Sequence, residues 1–203
     1  MKKISQGKGQ SLDHLVVVAK QFIIQGQVRD LREYGSGNVN DTFLVTVGAM
    51  VRSAHPTLLE GAGDQHFILQ RLNLQVFRRP DLVMENLRTV SEHVGRRLAL
   101  APLGPGRRFE VPRVLSTREG RDHVIDSGGS FWRALSFIEA AETFDTIKDT
   151  RHAQEVGSAL GRFHSLLSDL SPDHLSDTLP GFHLTPGYLA HYDEVLELSL
   201  IHI

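Results

Sequence analysis

The residues best suited to chemistry on an anion lie in one segment, Tyr34-Gly35-Ser36-Gly37-Asn38-Val39-Asn40-Asp41-Thr42-Phe43. Lacking a Cβ, Gly35 and Gly37 let backbone N–H groups approach phosphate oxygens closely, and Ser36, Asn38, Asn40 and Thr42 are counted with them as phosphate-binding candidates. A dinucleotide-binding fingerprint needs a third glycine and a helix directly after the turn. Position 40 is Asn, and Thr42-Phe43-Leu44-Val45-Thr46-Val47 reads as a strand, so that reading fails. A P-loop fails too, because no Gly-Lys-Ser or Gly-Lys-Thr follows. What fits is a loop between two antiparallel strands, the device by which kinase-type folds lay glycines over nucleotide phosphates; an ordinary hairpin turn stays open as the alternative. Asn40-Asp41-Thr42 also matches the N-glycosylation pattern, but no secretory signal accompanies it.

The next β-rich run, His66-Phe67-Ile68-Leu69-Gln70-Arg71-Leu72, places Phe67, Leu69 and Arg71 on one face and Ile68 and Gln70 on the other. Leu69 is expected to touch an adenine while Arg71, with its forked donors, reaches phosphate oxygens. A cation at a strand end is the plainer alternative. Glu85, on the helix that follows, is a candidate to orient Arg71 as a Lys–Glu pair does in protein kinases, or else a solvated helix residue.

The elements that must hold these groups can be read from periodicity and breakers. Ser11 caps a helix over 12–24, strands follow over 28–33, 42–47 and 66–72, and Pro80 opens a helix over 81–98. A Pro-, Gly- and Arg-rich loop precedes a strand over 109–115. A hairpin pairs 123–125 with 131–137 through Asp126-Ser127-Gly128-Gly129. Beyond Glu139 the pattern is helical, with a helix over 149–168 and an amphipathic stretch over 188–198. This predicts an α+β fold: a tail over 1–11, an antiparallel sheet with helices over 12–139, and helices over 140–203.

Composition narrows the partners. A chain of 203 residues with 40% hydrophobic content can bury a sizeable core, and its net charge of −2 supplies no basic field for nucleic acid, so the arginine pairs at 78–79, 96–97 and 107–108 read as solvated surface. There is no cysteine, no apolar leader and no stretch long enough to span a bilayer. These features fit a cytoplasmic protein with no membrane partner. The eleven histidines are dispersed and show no metal-ligand spacing, so no residue is assigned to a metal.

The order of these features resembles the aminoglycoside phosphotransferase and choline kinase superfamily. Within it, Tyr-Gly-Ser-Gly-Asn-Val-Asn-Asp-Thr-Phe-Leu-Val (34–45), Phe-Ile-Leu-Gln-Arg-Leu-Asn (67–73), Val-Met-Glu-Asn (83–86), Trp-Arg-Ala-Leu-Ser-Phe-Ile-Glu (132–139) and Phe-His-Leu-Thr-Pro (182–186) are similar to the N-acetylhexosamine 1-kinases. The resemblance implies a protein-kinase-like N-lobe followed by the first helices of a helical C-lobe. It also implies ATP and Mg²⁺ as cofactors, and transfer of the γ-phosphoryl group to the anomeric hydroxyl of an N-acetylated hexosamine. By position, residues 35–40 would cover the phosphates and Arg71 would be the phosphate-binding cation, while Phe137, Ile138 and Glu139 would form the hinge that meets adenine. Asn38 stands where relatives carry His, at a position tied to the acceptor sugar. Choline, homoserine or an aminoglycoside as acceptor, and a catalytically dead nucleotide-binding module, are the alternatives.

Phosphoryl transfer of this kind needs an Asp to orient the acceptor hydroxyl, with Asn and a second Asp on Mg²⁺, in an HxDxxxxN loop and a later strand. The one candidate here, His191-Tyr192-Asp193, has Leu198 where the Asn belongs and sits in a helical pattern. Asp126-Ser127-Gly128 imitates a metal-binding Asp-x-Gly but precedes the hinge. The resemblance therefore implies a truncated N-terminal part, inactive alone, whose last residues, 198–203, depart from the family pattern and read as non-native.

Overall fold

The computed structural model describes residues 11–22, 26–48, 64–104 and 107–200. The tail over 1–10, the end of the first expected helix and the last three residues lie outside them.

Helix α1, Leu12–Ala19, starts where Ser11 accepts the His14 amide and is shorter than its periodicity predicts. Phe22 has left the helix to bridge Thr117, and the Arg118 amide donates to the Gln21 carbonyl at 2.9 Å, so the chain turns toward the sheet before another helical turn can form. Strands β1 (Gln27–Glu33), β2 (Asp41–Gly48) and β3 (Gln65–Arg71) form an antiparallel meander, with an irregularity in β1 between Val28 and Asp30. Helix α2, Pro80–Leu100, has Pro80 in its first turn, where a missing N–H costs no hydrogen bond. It runs two residues beyond the expected 98.

Of the strand expected over 109–115, only Val114–Leu115 (β4) pairs. Pro112 has no N–H for a ladder, and Arg113 meets Ser136 off the ladder, its carbonyl accepting the Ser136 amide at 2.8 Å and its amide donating to the Ser136 hydroxyl at 2.9 Å. The expected hairpin is present as β5, Val124–Ile125, and β6, Phe131–Ser136, joined by a turn that places Gly129 at φ 78°. The sheet order is β1-β2-β3-β6-β4, with β5 also on β6, and every pairing is antiparallel. Helices α3 (Thr150–Leu167), a single 3₁₀ turn (Pro172–His174) and α4 (Thr185–Leu200) follow, and no strand appears after β6 among the described residues. The chain is thus α+β, with a six-stranded antiparallel sheet and four α-helices among the described residues. Among the described residues no helix is long and apolar enough to cross a membrane.

The period of two in the strands divides the sheet into two faces with different covers. Leu31, Phe43, Val45, Phe67, Leu69, Trp132 and Ala134 form one face, and Leu15, Val18, Ala19 and Phe22 of the α1 region close over it as the main core. On the opposite face, Leu72 and Phe131 pack with Met84, Phe77 and Val83 of α2 and its approach, and Leu44 and Leu135 are buried as well. Helix α3 reaches α2 through Asp169, just past its C-terminus, whose carboxylate accepts from His93 at 3.0 Å and Arg97 at 2.8 Å. Among the apolar positions of α3, Leu166 is buried and Phe163 and Leu167 are partly buried, while Val156 and Leu160 are exposed.

Candidate functional site

Residues 34–42 join two antiparallel strands, as their spacing predicts, and enter no helix. The base of the turn is fixed on both sides. The Tyr34 amide donates to the Thr42 carbonyl at 2.9 Å, and the Asn40 side-chain oxygen accepts the Asn73 amide at 2.9 Å, tying the turn to the exit of β3. Gly35 sits at φ 81°, a conformation that side chains with a Cβ rarely adopt. Gly35, Ser36, Gly37 and Asn38 are exposed, and among the described residues the amides of 35–39 make no hydrogen bond. A row of free N–H donors on a pinned loop is the chemistry of an anion cradle.

Arg71 stands directly across from Asp41 in the β2–β3 register. Its Nε donates to Asp41 Oδ2 at 2.7 Å, Nη2 contacts the same oxygen, and the guanidinium lies 5.9 Å from the centre of the Trp132 ring. Arg71 and Asp41 line an open cleft of about 440 Å³ with Asn38, Asn73 and Gly128–Ser130, so Arg71 does adjoin the glycine turn. Its ion pair is with Asp41, and the partnership with Glu85 is not formed: Glu85 is exposed on α2. Leu69 does share a face with Arg71, but α1 fills that face and leaves Leu69 with 0% exposure. No adenine can reach it there, so the expected roof contact is not available.

On the other face of the same strands Leu44 and Leu135 are buried, while Ile68, Gln70 and Arg133 are partly buried. Gln70 Nε2 donates to Thr42 Oγ1 at 2.8 Å, which turns Gln70 Oε1 toward Arg133, its register partner on β6. That oxygen accepts from Arg133 Nε at 3.0 Å and Nη2 at 2.7 Å, while Nη1 stands 4.0 Å from the Met84 sulfur. Loss of solvent contact lowers the Arg133 pKa to about 10, which leaves it charged at neutral pH. No carboxylate pairs with it among the described residues. Arg133 was absent from the sequence-derived site. The signal that could have found it is one arginine within the apolar strand Phe-Trp-Arg-Ala-Leu.

At the hinge end, Phe137 packs edge-on against Tyr34, with ring centres 5.6 Å apart, and against His66 at 5.7 Å. His66 Nδ1 lies 2.8 Å from Glu139 Oε1. The Glu139 carbonyl accepts from Arg108, so that acceptor of the expected hinge is already engaged. Ile138 is partly buried beside them. The structure thus gathers Phe137 and Glu139 with two aromatics, Tyr34 and His66, that the strand pattern alone did not associate with them. Among the described residues no group of three or more acidic or histidine side chains is placed to hold a metal ion. No family model matches the chain.

Proposed function

We propose that this chain is the nucleotide-binding part of an ATP-dependent small-molecule phosphotransferase whose acceptor is the anomeric hydroxyl of an N-acetylhexosamine, built as a kinase-like N-lobe followed by the first helices of a second lobe. The observation that supports the nucleotide reading most directly is the pinned turn at 35–39. Its unengaged amides lie between two antiparallel strands, beside a sheet face on which Gln70 and Arg133 are only partly buried. Residues 35–40 would hold phosphate oxygens, and Phe137, Tyr34 and His66 would flank the base. Mg²⁺, when bound with ATP, would neutralise charge on the transferring phosphoryl group, and no described residue is assigned to it. The acceptor reading rests on the resemblance of the five segments quoted above. Choline, homoserine or an aminoglycoside stay as alternative acceptors on the same scaffold.

A thermal unfolding series with ADP, ATP and GTP tests the proposal. A nucleotide at about 100 times its Kd stabilises a protein by about 2.7 kcal/mol, which reads as a melting shift of several degrees. Adenine nucleotides are expected to give that shift and free hexosamine is not; identical melting curves throughout would remove the nucleotide reading. Asp193 lies on the exposed helix α4, so this chain is expected to show no sugar-dependent ATP turnover and no change on Asp193→Ala.

A further inference from the structure

Arg133 poses a physical problem that the described residues leave unsolved. A guanidinium withdrawn from water is costly unless an anion and a full set of acceptors compensate it. Here two donors share one neutral amide oxygen, that of Gln70, and the third faces a thioether, a weak acceptor. Three other arginines of α2 and the sheet find carboxylates: Arg71 takes Asp41, Arg88 takes Asp122 and Arg97 takes Asp169. The Gln70 amide is also not free to turn. Thr42 fixes it from the other side, so Thr42, Gln70 and Arg133 form a chain across β2, β3 and β6 that holds the guanidinium in one orientation without neutralising it.

The placement of this cation along the strands gives the ligand a direction. On the same face, moving along β3 and β6 from the hinge, the chain presents His66 and Phe137, then Ile68 and Leu135, then Gln70 and Arg133. Four residues of strand separate His66 from Gln70, a distance of about 13 Å. Aromatic rings, an apolar stretch and a cation in that order match the base, sugar and phosphates of a nucleotide laid along the sheet. On the opposite face α1 fills the middle, and at its end Arg71 lines the cleft beside the turn but is already matched with Asp41.

We propose that Arg133, and not Arg71, is the side chain that binds the polyphosphate of the nucleotide, and that Gln70 is a positioning residue kept neutral so that the Arg133 charge stays available to the ligand. This deepens the nucleotide-binding reading and rests on it for the base end of the ligand. The phosphate oxygens would supply the acceptors that Arg133 lacks, with the free amides at 35–39 contributing from the turn.

The test is isothermal titration of the 203-residue chain, without divalent metal, against inorganic tripolyphosphate, ADP and adenosine. The variants are Arg133→Met, Arg71→Met and Gln70→Glu. Gln70→Glu installs the missing carboxylate, so it is expected to raise the melting temperature while lowering tripolyphosphate and ADP affinity by about tenfold or more, a divergence that a purely structural role would not produce. Arg133→Met should cost the same two ligands a similar factor and leave adenosine unchanged, and Arg71→Met should leave all three unchanged. Tripolyphosphate binding that depends on Arg133, with no adenosine binding and no gain for ADP, would keep the anion site and sink the nucleotide reading. ADP and adenosine binding unaffected by Gln70→Glu would keep that reading and overturn the Arg133 assignment. If none of the three ligands binds, both are overturned. Should Arg133→Met fail to fold, Gln70→Glu still decides the matter.

Discussion

The carboxylate of Asp126 accepts the indole N–H of Trp132 at 2.8 Å, across the turn between β5 and β6. Its other oxygen accepts the Gly128 and Ser130 amides, both at 2.9 Å, and His14 of α1 approaches Oδ2 at 3.3 Å. With only 5% of its side chain exposed, Asp126 closes the turn, fixes the tryptophan at the centre of the main core and meets the helix that covers it. A segment that imitates a metal-binding Asp-x-Gly in the sequence is thus a structural hub in the fold.

Asp126→Ala should therefore destabilise the chain by about 2–3 kcal/mol, because it strands a buried indole N–H and two turn amides. Urea unfolding followed through Trp132 fluorescence measures it. The pH dependence has a definite sign. Burial pushes the Asp126 pKa up, but the Trp132, Ser130 and Gly128 donors with His14 outweigh it and hold the carboxyl below its ordinary value. A carboxylate depressed in the folded state stabilises at pH above its unfolded pKa of about 4, and the contribution is lost as pH falls through the lower folded value. Asp126→Asn should flatten that acid limb while leaving the slope above pH 6, roughly the upper edge of carboxylate titration, unchanged.

Asn86 provides the second test. Its amide makes a two-way contact with the backbone of Ser176, donating to the carbonyl at 2.7 Å and accepting the N–H at 2.8 Å. This joins α2 to the segment between α3 and α4, 90 residues further along the chain. Asn86→Ala should remove about 1–2 kcal/mol, chiefly from that local docking. Hydrogen exchange at the Ser176 amide should rise about tenfold while the amides of β3 stay protected. Equal acceleration in both places would mean that the sheet and the later helices unfold as one unit.

Much of the sheet was legible because alternation is a local signal. The runs around Leu44 and Ile68 marked β2 and β3 to within a residue or two, and the glycine turn between strands followed from them. Alternation also put Leu69 and Arg71 on a common face. It could not say which helix would cover that face, since the docking of α1 against β2, β3 and β6 depends on contacts far apart in sequence. Hence the adenine contact expected of Leu69 fell on a surface that α1 had already taken. The same limit hid Arg133: its distinction lies in pairing with Gln70 across the β3–β6 register, 63 residues away. Glu85 was drawn in by analogy with the Lys–Glu pair of protein kinases, and one residue of rotation separates it from Met84, which does face Arg133.

The last prediction concerns α4. Tyr188, Leu189, Tyr192, Val195 and Leu196 recur at helical spacing and all stand exposed, between 45% and 61% of their surface in solvent. Phe182 and Leu184 extend the same apolar run ahead of the helix, and Val156 and Leu160 are uncovered on α3. Isolated exposed leucines are ordinary, but a contiguous stripe of this length is a surface that drives association. Sedimentation velocity over a concentration series should accordingly show the 203-residue chain associating as its concentration rises. The double substitution Leu189→Lys with Leu196→Lys places two charges on the stripe and should raise the concentration needed for association by about tenfold or more, with no loss of melting temperature because neither side chain contributes to the core. A wild-type chain that stays monomeric throughout would show that these side chains are covered in solution by a rearrangement of the helices, and the double variant would then lower the melting temperature instead.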